Sequence, residues 1–309
     1  MTRERVHTVA GLAFALALIA AGPAQGQSSY GNRSKAEDST RQSCDGRQFK
    51  PRQWAAIPEE TVPPIRYHGG PIMLGEIHIY YIWYGNWSGN TATTILTDFA
   101  GSIDGSLYFD INTTYTDASG GRVSDAVTFI GSTDDHYSQG TTLTDAAVEA
   151  VVTDAISSHR LPSDPHGVYF VLTSADVTES SGLCSQYCGW HTHVTAAGND
   201  IKYAFVGNPE RCIDSCAAQP VGPNGNAGAD GMASIIAHEL AEAATDPDLD
   251  AWFDERGAEN ADKCAWTFGS TYSTPNGAVA NIHLGQRDYL IQQNWSAGKH
   301  QHCALALPI

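Results

Sequence analysis

Residues 229–244 form an Ala-rich run that is apolar almost throughout, with Met232, Ile235, Ile236, Ala237 and Leu240 spread around it and His238, Glu239 and Glu242 set into it. Such a segment favours a helix, and a helix that is apolar on nearly every face belongs inside a domain. It therefore constrains the chain to build a core around it. Charged groups carried into that core are costly unless they are paired or bound to metal. A core of the necessary size is available, because the chain has 309 residues, 42% of them hydrophobic. That excludes a wholly disordered chain and allows one large domain or two small ones.

The remaining periodicities predict strands over 76–84, 107–115, 167–173 and 201–206, with a late strand at 289–291. Helices are expected over 91–99 and 144–159, the second with Thr142 or Thr144 as its cap. Strands and helices alternate loosely, so the expected fold is a single mixed α/β domain. With 17 basic against 34 acidic residues the net charge is −17. A nucleic-acid partner would call for a basic face, and an anionic membrane surface for basic clusters, so neither partner is expected.

Arg3 and Arg5, the apolar stretch 9–21, and small residues at Ala24 and Gly26 make the three-part pattern of a secretory signal peptide over residues 1–26. The apolar stretch is too short to span a bilayer comfortably. Residues 27–60 form a polar, aperiodic leader, and the domain is expected over 61–309. An exported chain with seven cysteines is expected to form disulfides. Cys184 and Cys188 share the spacing of Cys212 and Cys216, so two local bridges are expected, with four thiolates on one zinc as the rival. Cys264 and Cys303 are placed to staple the C-terminal region, leaving Cys44 over; the pairing is otherwise open.

His238 and Glu242 are four apart, hence on one helical face, and Glu239 adjoins them. A metalloprotease helix carries His-Glu-x-x-His, and here a Glu takes the second ligand position, at which a carboxylate also binds zinc. Glu259 and Asp262, three apart, offer a third ligand and an outer partner. This layout resembles the thermolysin-like gluzincins. The resemblance implies a zincin-like metal helix with His238, Glu242 and Glu259 as zinc ligands, Glu239 as general base, and Asp262 orienting His238. The departure at Glu242 makes the set His-Glu-Glu, and extra anionic ligands raise the pKa of a zinc-bound water, which counts against proteolysis more than against binding. Metzincin spacing offers Asp248 as a rival third ligand, and Asp246 is near. His191 and His193 alternate as on one side of a strand and could line a cleft or ligate metal; a disulfide-capped turn with two satisfied rings is the favoured expectation. No Gly-x-Ser-x-Gly elbow and no phosphate-cradling glycine loop occurs. Asn32, Asn86, Asn112 and Asn294 open Asn-x-Ser/Thr sequons.

Several segments occur in an order that resembles the EXORDIUM/phosphate-induced protein family. They are Tyr67-His68-Gly69-Gly70-Pro71-Ile72, Ile82-Trp83-Tyr84-Gly85-Asn86-Trp87, the Cys184–His191 segment and the Cys212/Cys216 pair. Gly228-Ala229-Asp230-Gly231-Met232 and Arg287-Asp288-Tyr289-Leu290 complete the set. The resemblance implies a secreted, extracellular and cell-wall-associated protein with no established enzymatic activity. It implies a microbial-type member, since plant members carry Ala-Ser-Leu-Leu-Ala-Gly where this chain has Ala237-His238-Glu239-Leu240-Ala241-Glu242. Two functions follow as expectations. One is a zinc hydrolase acting on peptides through Glu239. The other is a non-catalytic wall protein with a structural metal, or with acids paired to Lys263 or Arg256, whose Trp83, Tyr84, Trp87 and Trp190 stack on polysaccharide. A closed site favours the second, and a solvent-open position beside a sheet edge favours the first.

Overall fold

The computed structural model describes residues 63–307; the expected signal peptide, leader and Cys44 lie outside them. A five-stranded sheet organises the domain. Its strands are β1 (Ile77–Tyr84), β2 (Val127–Asp135), β3 (Gly167–Thr173), β4 (Gly189–Ala196) and β5 (Asn199–Val206), in the order β2-β1-β3-β5-β4. All neighbours are parallel except β4, which pairs antiparallel with β5 as an edge strand, His191 opposite Ala204 and His193 opposite Lys202. Three helices attach to the sheet: α1 (Ala92–Ala100), α2 (Asp145–Ser157) and α3 (Ala227–Thr245).

The central strands are buried on both faces, which is why they read as continuous apolar runs. Along β1, Ile77, Ile79, Tyr81 and Trp83 enter one core with α1 and α3, while Tyr80, Ile82 and Tyr84 enter a second core with α2. In β3, Val168, Phe170 and Leu172 go to the first side and Tyr169 and Val171 to the second. Thr144 caps α2 by accepting a hydrogen bond from the Ala147 N–H. Asn226 does the same for α3 at Ala229. Every residue from Gly228 to Thr245 is buried, as the apolar run requires. α3 lies on β4 and β5, and its other sides are covered by α1, by Phe109–Thr114 and by the C-terminal segment Arg287–Tyr289.

Three expectations are corrected. Residues 107–115 are not a strand: Phe109–Thr114 is a 3-10 helix. Its Thr113 and Thr114 hydroxyls donate to the Asp110 and Ile111 carbonyls, and Asn112 turns inward to accept from Asn260 and Asn294. The late strand lies at Arg287–Tyr289, displaced towards the N-terminus from 289–291. Residues 127–135, which lie in no predicted element, form the edge strand β2, whose Thr, Ser, Gly and Asp are tolerated because one face of an edge strand need not be apolar. Trp83, Tyr84, Trp87 and Trp190 are all buried, so these rings are core and offer no face to a polysaccharide. Of the sequons among the described residues, Asn86 is exposed, whereas Asn112 and Asn294 are fully buried. No helix of the described residues is long and apolar enough to cross a membrane.

The cysteines pair Cys184–Cys212, Cys188–Cys216 and Cys264–Cys303. The last is as expected, but the two local bridges are replaced by two parallel cross-links. Cys212 and Cys216 flank one helical turn, with the Cys216 N–H donating to the Cys212 carbonyl. Side chains four apart on a helix point the same way, towards a second segment and not at each other. That segment is the approach to β4. All four sulfurs are thereby oxidised, which removes the thiolate zinc site.

Candidate metal centre

Two periodicities meet at the centre. On α3, His238 and Glu242 are one turn apart, with Glu239 beside them. On β4, Gly189, His191 and His193 alternate onto the face that looks at α3. The close approach of the two elements depends on Gly189. A Cβ there would lie 2.5 Å from the Ile235 side chain, 2.8 Å from the Phe205 carbonyl oxygen and 3.0 Å from Glu239 Oε1. The carbonyl belongs to the paired strand and cannot swing away. Gly189→Ala is therefore expected to cost about 2 kcal/mol of stability through overpacking, read as a lower urea midpoint with unchanged slope. An unchanged midpoint would show that β4 and α3 are looser than this geometry.

His191 thus enters the α3 site, and the expectation of a disulfide-capped turn is corrected: residues 189–196 are a strand. Nδ1 of His191 lies 3.6 Å from Glu239 Oε2 and 3.5 Å from Glu242 Oε2. These are too long for hydrogen bonds. Nε2 lies 3.3 Å from the Asp246 carbonyl oxygen and 3.7 Å from Glu259 Oε1. On the other side, His238 Nε2 is 2.9 Å from Glu242 Oε1 and 3.5 Å from Asp262 Oδ1. The Asp262 N–H donates to Glu242 Oε1 at 3.0 Å, and the turn that carries it, Asp262–Cys264, is fixed by the Cys264–Cys303 bridge.

The structure therefore gathers His191, His238, Glu239, Glu242, Glu259 and Asp262, with Asp246 adjoining through its carbonyl. Asp262 faces His238, whereas Glu259 faces His191. Asp246 has its carboxylate engaged by the Ala251 N–H. Asp248 and His193 stand apart. They form a separate half-buried group with Asp200 and Lys202, in which His193 Nδ1 is 2.9 Å from Asp200 and the Lys202 ammonium 2.6 Å from it. Lys202 offsets one of its two carboxylate charges. His191 is the site residue whose importance the sequence understated; the signal was its alternation with Gly189 and His193.

None of His191, His238, Glu239, Glu242 or Glu259 exposes more than 1% of its surface. Both carboxylate oxygens of Glu239 and of Glu259, and Oε2 of Glu242, have no hydrogen-bond partner. Buried carboxylates are normally hydrogen-bonded or bound to metal. Without a cation the site can only hold protons. Burial pushes Glu239 up to about 7, though His191 and His238 pull the other way. Burial, reinforced by the charge of Glu242, lifts Asp262 to about 7. Glu259 is raised well above the usual range by burial and by the acids around it, Glu242 first. Burial takes Asp246 to about 6. Burial would lower His191, but Glu239 and Glu242 outweigh it and raise the ring to about 10. His238 is likewise raised against burial, by Glu242 and Asp262. Glu242 alone among these acids is lowered: burial opposes this, and the two imidazoles prevail.

The donor set fits a divalent cation. His191, Glu239 and Glu242 each offer a ligand atom within 4.8 Å of the others, and so do His238, Glu242 and Asp262. Tetrahedral zinc with bonds of about 2.0–2.1 Å sets its ligands about 3.3 Å apart, close to the separations observed.

The conserved region of phosphate-induced protein 1 matches residues 65–304 of this chain. Protein EXORDIUM-like 3 of Arabidopsis thaliana is 31% identical over 271 residues, covering 75% of this chain and 80% of the relative. Protein EXORDIUM-like 5 of the same plant is 34% identical over 274 residues, 75% of each chain. Protein PHOSPHATE-INDUCED 1 of Nicotiana tabacum is 27% identical over 230 residues, 64% of this chain and 70% of the relative. No solved structure matches.

Proposed function

The chain belongs to the phosphate-induced protein 1 family, alongside the EXORDIUM proteins, and from that premise we propose that it is an exported protein built around a divalent-metal centre, zinc by preference, on α3. Export is supported by the signal-peptide pattern of residues 1–26 and by three disulfides. The observation that carries the metal is the set of buried, unpartnered carboxylate oxygens of Glu239, Glu242, Glu259 and Asp262 beside two imidazoles. His238, Glu242 and Asp262 hold the ion on one side of α3, with Glu242 fixed by the Asp262 N–H. The full burial of His238 and Glu242 favours a non-catalytic role in which the metal ties α3 to the Asp262 turn, since a catalytic zinc must be within reach of substrate.

One observation favours hydrolysis as the second reading. Glu239 adjoins His238 along α3 and carries a carboxyl raised to about 7, the range of a general base. A bound zinc would supply Lewis acidity to a peptide carbonyl and an attacking water; Glu239 would take the proton from that water.

Mass spectrometry of the secreted, metal-replete protein should find bound zinc, and less of it in His238→Ala. A folded wild type without metal would overturn the proposal. Wild-type cleavage of peptides that disappears in Glu239→Gln, with the zinc retained, would replace the non-catalytic reading by the hydrolytic one.

A further inference from the structure

We propose that the centre holds two cations bridged by Glu242, the second lying between α3 and β4 on His191 and Glu239. The inference rests on the metal reading above and concerns how many ions it involves. The two sets of donors share one residue but use different atoms of it. Glu242 Oε1 lies 2.9 Å from His238 Nε2, whereas Oε2 lies 3.5 Å from His191 Nδ1. A carboxylate whose oxygens face opposite ways towards two histidines has the arrangement of a bridge, which holds two metals about 3.5–4 Å apart.

The second position has its own complete set. His191 Nδ1 stands 3.5–3.6 Å from the nearer oxygens of Glu242 and Glu239, the edge lengths of a tetrahedral site within a few tenths of an ångström. His191 is prepared to ligate through that nitrogen. Its Nε2 faces only acceptors, the Asp246 carbonyl and Glu259, so the ring proton belongs on Nε2 and the Nδ1 lone pair points at the ion. Neither oxygen of the fully buried Glu239 has another partner.

The charge points the same way. Glu239, Glu242, Glu259, Asp246 and Asp262 bring five negative charges when ionised. With neutral imidazoles one dication leaves 5 − 2 = 3 uncompensated, and two leave 5 − 4 = 1. The second ion turns Glu239 from a base into a ligand, so it also removes the base of the hydrolytic reading. Structurally, it joins the edge strand to the central helix.

Titration of the metal-free full-length secreted protein with zinc, followed by mass spectrometry, should give two ions per chain in the wild type. His191→Ala should retain one, and Glu242→Gln should retain fewer than His191→Ala. One ion per chain in the wild type, unchanged by His191→Ala, would overturn the second site and leave the first. No ion in the wild type would overturn the metal reading itself. Should His191→Ala fail to fold, electron paramagnetic resonance of the wild type saturated with Mn(II) decides. A spin-coupled pair supports the bridge, and isolated Mn(II) at full loading overturns it.

Discussion

Zinc added to the metal-free protein is expected to raise its melting temperature strongly at pH 7.5 and hardly at all at pH 5. The sign comes from the buried acids. Glu239 and Asp262 are raised from 4.5 and 3.8 to about 7, and Asp246 from 3.8 to about 6. A raised carboxyl stabilises the folded state fully below its unfolded pKa, and that stability is lost as pH rises through the folded value. For these three groups the loss falls between about pH 4 and pH 7. His191, raised from 6.5 to about 10, has the same sign, and its loss begins above pH 6.5 and runs on to about 10. Glu242 has the opposite sign: its lowered pKa gives stability that is lost only as pH falls below 4.5, so it does not change between pH 5 and pH 7.5.

The metal-free protein should therefore be less stable at pH 7.5 than at pH 5, by on the order of 3 kcal/mol. For a domain of this size that is roughly 6–12 °C in melting temperature. Zinc needs the carboxylates deprotonated, so it binds where the protons have left. At a thousand times its dissociation constant it would restore about 4 kcal/mol, or roughly 8–16 °C. Calorimetry at both pH values, with and without zinc, tests this. Equal melting temperatures in all four conditions would mean that the acids neither hold protons nor bind metal.

The second large effect is covalent. Replacing Cys188 and Cys216 together by Ser should lower the free energy of unfolding by about 2–3 kcal/mol, because the parallel Cys184–Cys212 bridge still closes most of the same loop and only the short ring between the two bridges is released. Cys188 immediately precedes Gly189, so the bridge also sets where β4 lies against α3. The double variant should accordingly bind less zinc than the wild type, which a purely local staple would not cause. Non-reducing peptide mapping should recover Cys184 with Cys212 and Cys188 with Cys216. Recovery of Cys184 with Cys188 would refute the cross-linked arrangement.

How much of this was legible in the chain differs from element to element. β1, β3, α2 and α3 stand close to where their apolar periodicity puts them, because each is buried on a pattern that only its own secondary structure satisfies. β2 was hidden because an edge strand tolerates Thr, Ser and Asp. Residues 107–115 read as a strand from their aromatic and β-branched residues, whereas Phe109–Thr114 is a 3-10 helix whose Asn112 accepts long-range bonds from Asn260 and Asn294. Such bonds leave no local trace. His238, Glu239 and Glu242 were visible because helical spacing alone puts them on one turn.

The chain read residue by residue already requires a buried helix that carries ionisable groups, strands and helices that alternate around it, and cysteines placed to be oxidised. Those are consequences of spacing and composition, which act over a few residues. Which cysteines meet, the facing of Glu259 to His191 and of Asp262 to His238, and the place of Asp248 and His193 outside the centre follow from the packing of the chain. Those depend on the order of strands in the sheet and on the side of α3 to which β4 returns, distances in space that no separation along the chain encodes.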